Sequence, residues 1–104
     1  MNKYGEVTLC RKVSERDSIN QEIGTITEER TIQCEIEGIE RGEWLTAQQG
    51  GYQAKIMAKV FTASYNGESL ARYNGKMLCI YRTYEVGDKT ELYLGERIGE
   101  LNVI

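Results

Sequence analysis

Val7, Leu9 and Val13 alternate with Thr8, Cys10 and Lys12, the two-residue period of a strand with one face buried. From Ser14 to Gly24 the text turns polar and reads as a loop or an open hairpin tip. Ile26, Ile32, Cys34 and Ile36 then share one parity, while Thr27, Glu29, Thr31, Gln33, Glu35 and Glu37 hold the other, which is expected to be wet or to meet a partner. Ile39 to Gly51 lacks this alternation and carries a run with helical character, Glu43-Trp44-Leu45-Thr46-Ala47-Gln48-Gln49, stopped by Gly50-Gly51. One or two turns of helix cannot stand alone, so this segment must dock on something. Alternation returns with Ile56, Ala58 and Val60 against Met57 and Phe61. Asn66-Gly67 marks a turn, and Asn74-Gly75 suits the type I′ turn of a tight hairpin. The pattern predicts strands near 6–13, 25–37, 53–64, 70–86 (broken at Asn74-Gly75) and 89–98, with one short helix within 40–50. That is an all-β fold, a small antiparallel barrel or sandwich, in a single domain spanning 1–104.

Composition strengthens this picture. Ten Ile, five Val, eight Thr and nine aromatics favour a pleated surface. The chain of 104 residues has eleven Gly and no Pro, so turns rest on Gly and the strands are free of residues that break a ladder. Histidine is absent, removing the commonest general base and zinc ligand together. Ser14, Ser18, Ser64 and Ser69 therefore have no His to activate them. The carboxylate pairs Glu28-Glu29, Glu35 with Glu37, and Glu40 with Glu43 lack the cleft a general acid and base require. Three widely spaced cysteines, Cys10, Cys34 and Cys79, contain no CxxC pair and fit reduced, half-buried thiols. The sequence thus predicts no enzyme, no catalytic residue, no cofactor and no metal. No signal peptide or membrane span is legible, which points to a reducing cytoplasm or a particle assembled there.

Charge is uneven. Residues 1–52 carry a net −4 and residues 53–104 a net +1, and the stretch from Glu22 to Glu43 has seven Glu against Arg30 and Arg41. A protein that grips phosphates shows the opposite bias, so tight nucleic-acid binding is disfavoured and a solvated acidic face is the plainer reading. Seven Tyr against one Phe is a balance typical of interfaces. Tyr81 and Tyr93 oppose the inward Leu78, Ile80, Leu92 and Leu94 in parity, making them candidates for a subunit interface or a base-stacking platform. Trp44, the only Trp, reads equally as an anchor of the short helix or a partner contact.

Four segments in order resemble the head–tail joining, or head-completion (stopper), family of long-tailed phages. They are Val7-Thr8-Leu9-Cys10-Arg11-Lys12-Val13, Gln33-Cys34-Glu35-Ile36-Glu37, Gly42-Glu43-Trp44-Leu45-Thr46-Ala47-Gln48-Gln49, and Tyr73-Asn74-Gly75-Lys76-Met77-Leu78-Cys79-Ile80. The resemblance runs from about Val7 to Gly99. It implies a structural virion protein in the neck of the particle, assembled in the bacterial cytoplasm as a ring, dodecameric in studied relatives. Its expected partners are further copies of itself, a head adaptor or portal-side protein, a tail completion or terminator protein, and phage DNA passing without sequence-specific contact; no membrane is involved. In relatives the segment between the second and third strands can reach the channel. Here that segment includes Gly38, Ile39, Glu40, Arg41, Gly42, Glu43, Trp44, Leu45, Thr46, Ala47, Gln48, Gln49, Gly50 and Gly51. Two other readings compete: a small OB-like barrel binding single-stranded nucleic acid through its Tyr-bearing strands, and another morphogenetic component such as a tail terminator.

Overall fold

The computed structural model describes residues 3–16 and 22–98. Six antiparallel strands, β1 (Lys3–Arg16), β2 (Glu22–Glu37), β3 (Tyr52–Phe61), β4 (Leu70–Tyr73), β5 (Lys76–Val86) and β6 (Lys89–Arg97), accompany one helix, α1 (Arg41–Gln49), and a 3₁₀ turn at Thr62–Ser64. The strands close into a barrel in the order β1-β2-β3-β6-β5-β4. The all-β fold with one short helix is as the alternation predicts, and of the two architectures open to it the barrel is the one formed. Asn74 and Gly75 both adopt positive φ, as the type I′ turn between β4 and β5 requires.

The first two strands are longer than the hydrophobic pattern implies. The β1–β2 ladder continues through Ser14↔Thr25, Glu15↔Gly24 and Arg16↔Glu22, where a polar loop or an open hairpin tip was expected. Backbone hydrogen bonds hold such a ladder whatever the side chains, so polarity alone does not end it. The tip itself, residues 17–21, lies outside the described residues, as do the chain ends 1–2 and 99–104. In the other direction, the predicted strand over 53–64 ends at Phe61 and gives way to the 3₁₀ turn.

Barrel closure depends on two narrow seams. Glu35, Ile36 and Glu37 of β2 pair with Lys59, Ala58 and Met57 of β3. Thr8, Leu9 and Cys10 of β1 pair with Arg72, Ala71 and Leu70 of β4. Inside lies one core of Val7, Leu9, Cys34, Ile36, Ala58, Val60, Ala71, Leu78, Leu92 and Leu94. The alanines stand on the seam strands, where a small side chain lets the walls of a narrow barrel approach. Ion pairs brace the outside. Glu29 meets Arg72 at 2.8 Å, Glu35 meets Lys89 at 3.3 Å and Glu37 meets Lys59 at 3.5 Å. The acidic strand read as a solvated face is therefore neutralised across the sheet by bases from the second half of the chain.

Between β3 and β4, residues 62–69 fold over one end of the barrel. Tyr65 packs against the core, and its hydroxyl donates to the Glu68 carbonyl at 2.8 Å. The Glu68 side chain, 5% exposed, accepts from Arg30 Nη2 at 2.7 Å and from the Asn66 N–H at 2.9 Å. Arg30 also donates to the Ser64 carbonyl at 2.7 Å. Burial by itself raises the Glu68 pKa, but the hydrogen bonds from Arg30 and Asn66 and the Arg30 charge outweigh it and hold the carboxyl below its ordinary 4.5. A depressed carboxylate pKa stabilises the fold fully above the unfolded value, and this contribution is lost as pH falls through the folded one. Glu68→Gln, which leaves the Arg30 guanidinium and the Asn66 N–H a weaker acceptor, should lower unfolding stability at neutral pH by about 1–3 kcal/mol. Denaturant titrations repeated down the pH scale should show the gap between wild type and variant narrowing below pH 4.5.

Candidate functional site

The candidate segment is held on the outside of the β3–β6–β5 sheet. Two β-bulges prepare the surface beneath it. Ala54 pairs with Gly95 and Ile56 with Leu94, so Lys55 is an extra residue, and Ala54 faces outward while Ile56 faces the core. In β5, Ile80 pairs with Leu94 and Arg82 with Tyr93, leaving Tyr81 as the extra residue. Tyr81 stacks on Tyr52 with ring centroids 5.2 Å apart, and Arg82 sits 4.1 Å above the Tyr93 ring. Gly95 makes this packing possible, because a methyl there would lie 2.6 Å from the Gln53 carbonyl oxygen and 3.2 Å from the Tyr81 ring.

Gly38, Ile39 and Glu40 lead from β2 to α1, and the Trp44 N–H donates to the Glu40 carbonyl at 2.9 Å. Intrinsically α1 is weak: Glu40 at the N-cap makes no side-chain cap, Gly42 sits in the first turn, and the last turn has no base. Docking supplies what propensity lacks. Ala47 is buried, and Glu43 accepts from the Tyr81 hydroxyl at 2.8 Å while also pairing with Arg82. At the far end Gly50 donates to the Thr46 and Ala47 carbonyls, Gly51 takes φ +91°, and the Gly51 carbonyl accepts from the Ile98 N–H at 2.9 Å. The helix is thus clamped by Glu43 near its start and by the Gly50-Gly51 turn at its end.

One expectation meets a different geometry. Tyr81 and Tyr93, read as outward residues open to a neighbour, are half-buried and engaged within the chain, Tyr81 by Tyr52 and Glu43 and Tyr93 by Glu91, which accepts its hydroxyl proton at 2.7 Å. Parity places them outside the barrel, as the alternation predicts, but the helix crosses over that outside. Burial, with the acceptors Glu43 and Glu91, pushes both phenols up, Tyr93 to about 12. Trp44, three residues before the buried Ala47, lies on the flank of the docked face beside Tyr52, Gln53 and Ile98 and is 39% exposed, while Leu45, 48% exposed, is on the face turned away from Ala47. The anchor is Glu43, whose spacing from the buried Ala47 by four residues was the available signal.

A cavity of about 500 Å³ opens beside α1, where Glu37, Glu40, Glu43 and Glu91 face Lys59 and Arg82. Glu37 pairs with Lys59, Glu43 pairs with Arg82 and Glu91 accepts from the Tyr93 hydroxyl, so three of the four carboxylates are engaged within the chain. Among the described residues no group of three His, Cys, Asp or Glu is arranged to hold a metal ion, and no helix is long and apolar enough to cross a membrane. Comparison with protein-family models, curated proteins and solved structures finds no match to this chain.

Glu43→Ala should release α1 while leaving the strands paired. Amide exchange over residues 43–50 should then accelerate well before that of β3, β5 and β6. Gly95→Ala should destabilise the whole domain by about 1–3 kcal/mol in a thermal or denaturant melt, since the colliding oxygen belongs to the backbone of β3 and cannot rotate away.

Proposed function

We propose that this protein is a non-enzymatic structural subunit that self-associates into a ring at a phage head–tail connector, with α1 as its contact element. The observation that carries the reading is the orientation of α1. A helix docked through Glu43 and Ala47 turns Leu45 to solvent and leaves 39% of Trp44, its other large apolar side chain, uncovered. A lone barrel gains nothing from that arrangement, whereas a subunit buried by neighbours does. The ordered resemblance of the four sequence segments to head-completion proteins supplies the particular assembly. Partners on this reading are other copies of the chain, an adaptor or portal-side protein, a tail completion or terminator protein, and DNA in transit.

The rival reading, a binder of single-stranded nucleic acid, is weakened by the way the aromatics are used. A stacking platform needs free ring faces beside bases that contact phosphate. Here Tyr81 is stacked on Tyr52, the Tyr93 ring is covered by Arg82, and Lys59, Arg72, Arg82 and Lys89 are paired with carboxylates.

Trp44→Ala should leave the barrel folded, because this side chain lies outside the core, but should weaken ring assembly or let packaged genome escape. Particles completed with the variant would be assayed for retained DNA and for tail attachment. Full retention with normal joining would remove α1 from the contact and with it the main support for the reading.

A further inference from the structure

The tripeptide Tyr-Asn-Gly occurs twice in the chain, as Tyr65-Asn66-Gly67 and as Tyr73-Asn74-Gly75. Asparagine followed by glycine is the pairing most prone to spontaneous loss of its side-chain amide, because glycine leaves its backbone nitrogen unhindered. With the same residue on either side of each asparagine, the intrinsic reactivity of the two sites is nearly equal. Both asparagines are exposed. The fold around them therefore decides which one reacts.

Asn74 is the first central residue of the β4–β5 turn, at φ +52°, followed by Gly75 at φ +78°. A type I′ turn sets ψ at that residue to about +30°, which points the Gly75 nitrogen away from the Asn74 side chain. A ring between the two can close only after the turn opens, and the flanking Tyr73↔Lys76 pair opposes that. Asn66 lies in the 62–69 crossing, outside any strand or helix, and its φ is not positive. Its backbone is held by side chains alone: the N–H donates to Glu68 Oε1 at 2.9 Å, and the carbonyl accepts from Arg11 Nη2. Among the described residues neither the Asn66 side-chain amide nor the Gly67 N–H has a hydrogen-bond partner. No atom would lie within 4 Å of a methyl on Gly67, so this side of the loop has room for a ring.

We propose that Asn66 is a site of spontaneous covalent modification, converting to aspartate and isoaspartate, while the same tripeptide at Asn74 is protected by its turn. The Gly67 nitrogen attacks Asn66 Cγ. The N–Cγ bond forms, the Cγ–Nδ2 bond breaks, and ammonia leaves with the proton that Gly67 carried. Water then opens the cyclic imide at either carbonyl. Attack at Cγ yields aspartate; attack at the backbone carbonyl carbon yields isoaspartate, with the chain running through the former side chain. In sum a water is taken up and an ammonia released, with no change in oxidation state. Either product places a new carboxylate next to the buried Glu68, and isoaspartate also lengthens the main chain at the residue whose N–H supports Glu68. The loop crossing the barrel end is thus the element that loosens as the protein ages. This inference is independent of the ring reading, since neither α1 nor the β3–β6–β5 sheet takes part.

The experiment ages the full chain at mildly alkaline pH and physiological temperature, both folded and in urea, and follows each site by mass after trypsin. Cleavage after Lys59, Arg72 and Lys76 yields peptides 60–72 and 73–76, in which Asn66 and Asn74 are the only amide side chains. In the folded protein, peptide 60–72 should gain the mass of an amide-to-acid change at least about tenfold faster than 73–76, because the second site must first open locally. In urea the two rates should converge. Protein isoaspartate methyltransferase should label the aged 60–72 peptide. Asn66→Ala, which removes a side chain that bonds nothing, should fold and show no gain in that peptide. Asn66→Asp should speed amide exchange over residues 62–69 about threefold to tenfold. A folded chain in which Asn74 reacts as fast as Asn66, or in which neither reacts, overturns the proposal. A difference that persists in urea also overturns it, because the fold would not be its cause. Exchange in Asn66→Asp identical to that of wild type overturns the loosening of the loop.

Discussion

A small sheet that closes on itself must fix its register everywhere at once, because each strand has two neighbours and neither can slip. In this protein the constraint is concentrated in the seams at Glu35–Glu37 and Thr8–Cys10, each only three residue pairs long. Both seams are reinforced from outside by charge. Glu35 and Glu37 on the first are gripped from β6 and β3, and Arg72 on the second reaches Glu29 of β2. The uneven charge of the two halves of the chain is what allows this, since the acids of β2 and the bases of β3, β4 and β6 come together only when the barrel closes. Exposed pairs of this kind add little individually. Their geometry nonetheless selects one alignment over its neighbours, because a slip by one residue would turn each partner to the opposite face.

Much of the fold was legible in the sequence because it follows from period. Leu92 and Leu94, Ala58 and Val60, and Cys34 and Ile36 alternate inward as their spacing demands, and Asn74-Gly75 marks its turn without ambiguity. What the sequence concealed has specific causes. Bulges at Lys55 and Tyr81 reset parity by one residue, and nothing in the local text marks either. The extent of β1 and β2 depends on backbone pairing that polar side chains do not reveal. Glu68 is an ordinary acid in a loop until Arg30, thirty-eight positions earlier, arrives beside it.

The candidate segment was legible in part. Its helical character, its boundaries near Glu40 and Gly50, and its need to dock could all be read from the chain. Which side docks could not, because a nine-residue helix with two large apolar residues invites the assumption that those residues face inward. Here a carboxylate held by a phenol and a guanidinium does the docking. Tyr81, stacked on Tyr52 and bonded to Glu43, is thereby part of the support on which α1 rests.

The strand order also governs when the chain can protect itself during synthesis. β6, at residues 89–97, lies between β3 and β5, so β3 lacks its principal partner until nearly all the described chain has been made. The β1–β2 ribbon can pair early, and β4 with β5 soon after, but the core around Ala58 and Val60 stays incomplete until Leu92 and Leu94 emerge. A nascent chain therefore carries an uncovered apolar strand through the translation of some thirty further residues. At a synthesis rate on the order of 5–20 residues per second, that window lasts on the order of seconds. Truncation before β6 leaves β3 held only by its three-pair seam to β2, with the edge that β6 covers exposed to aggregation.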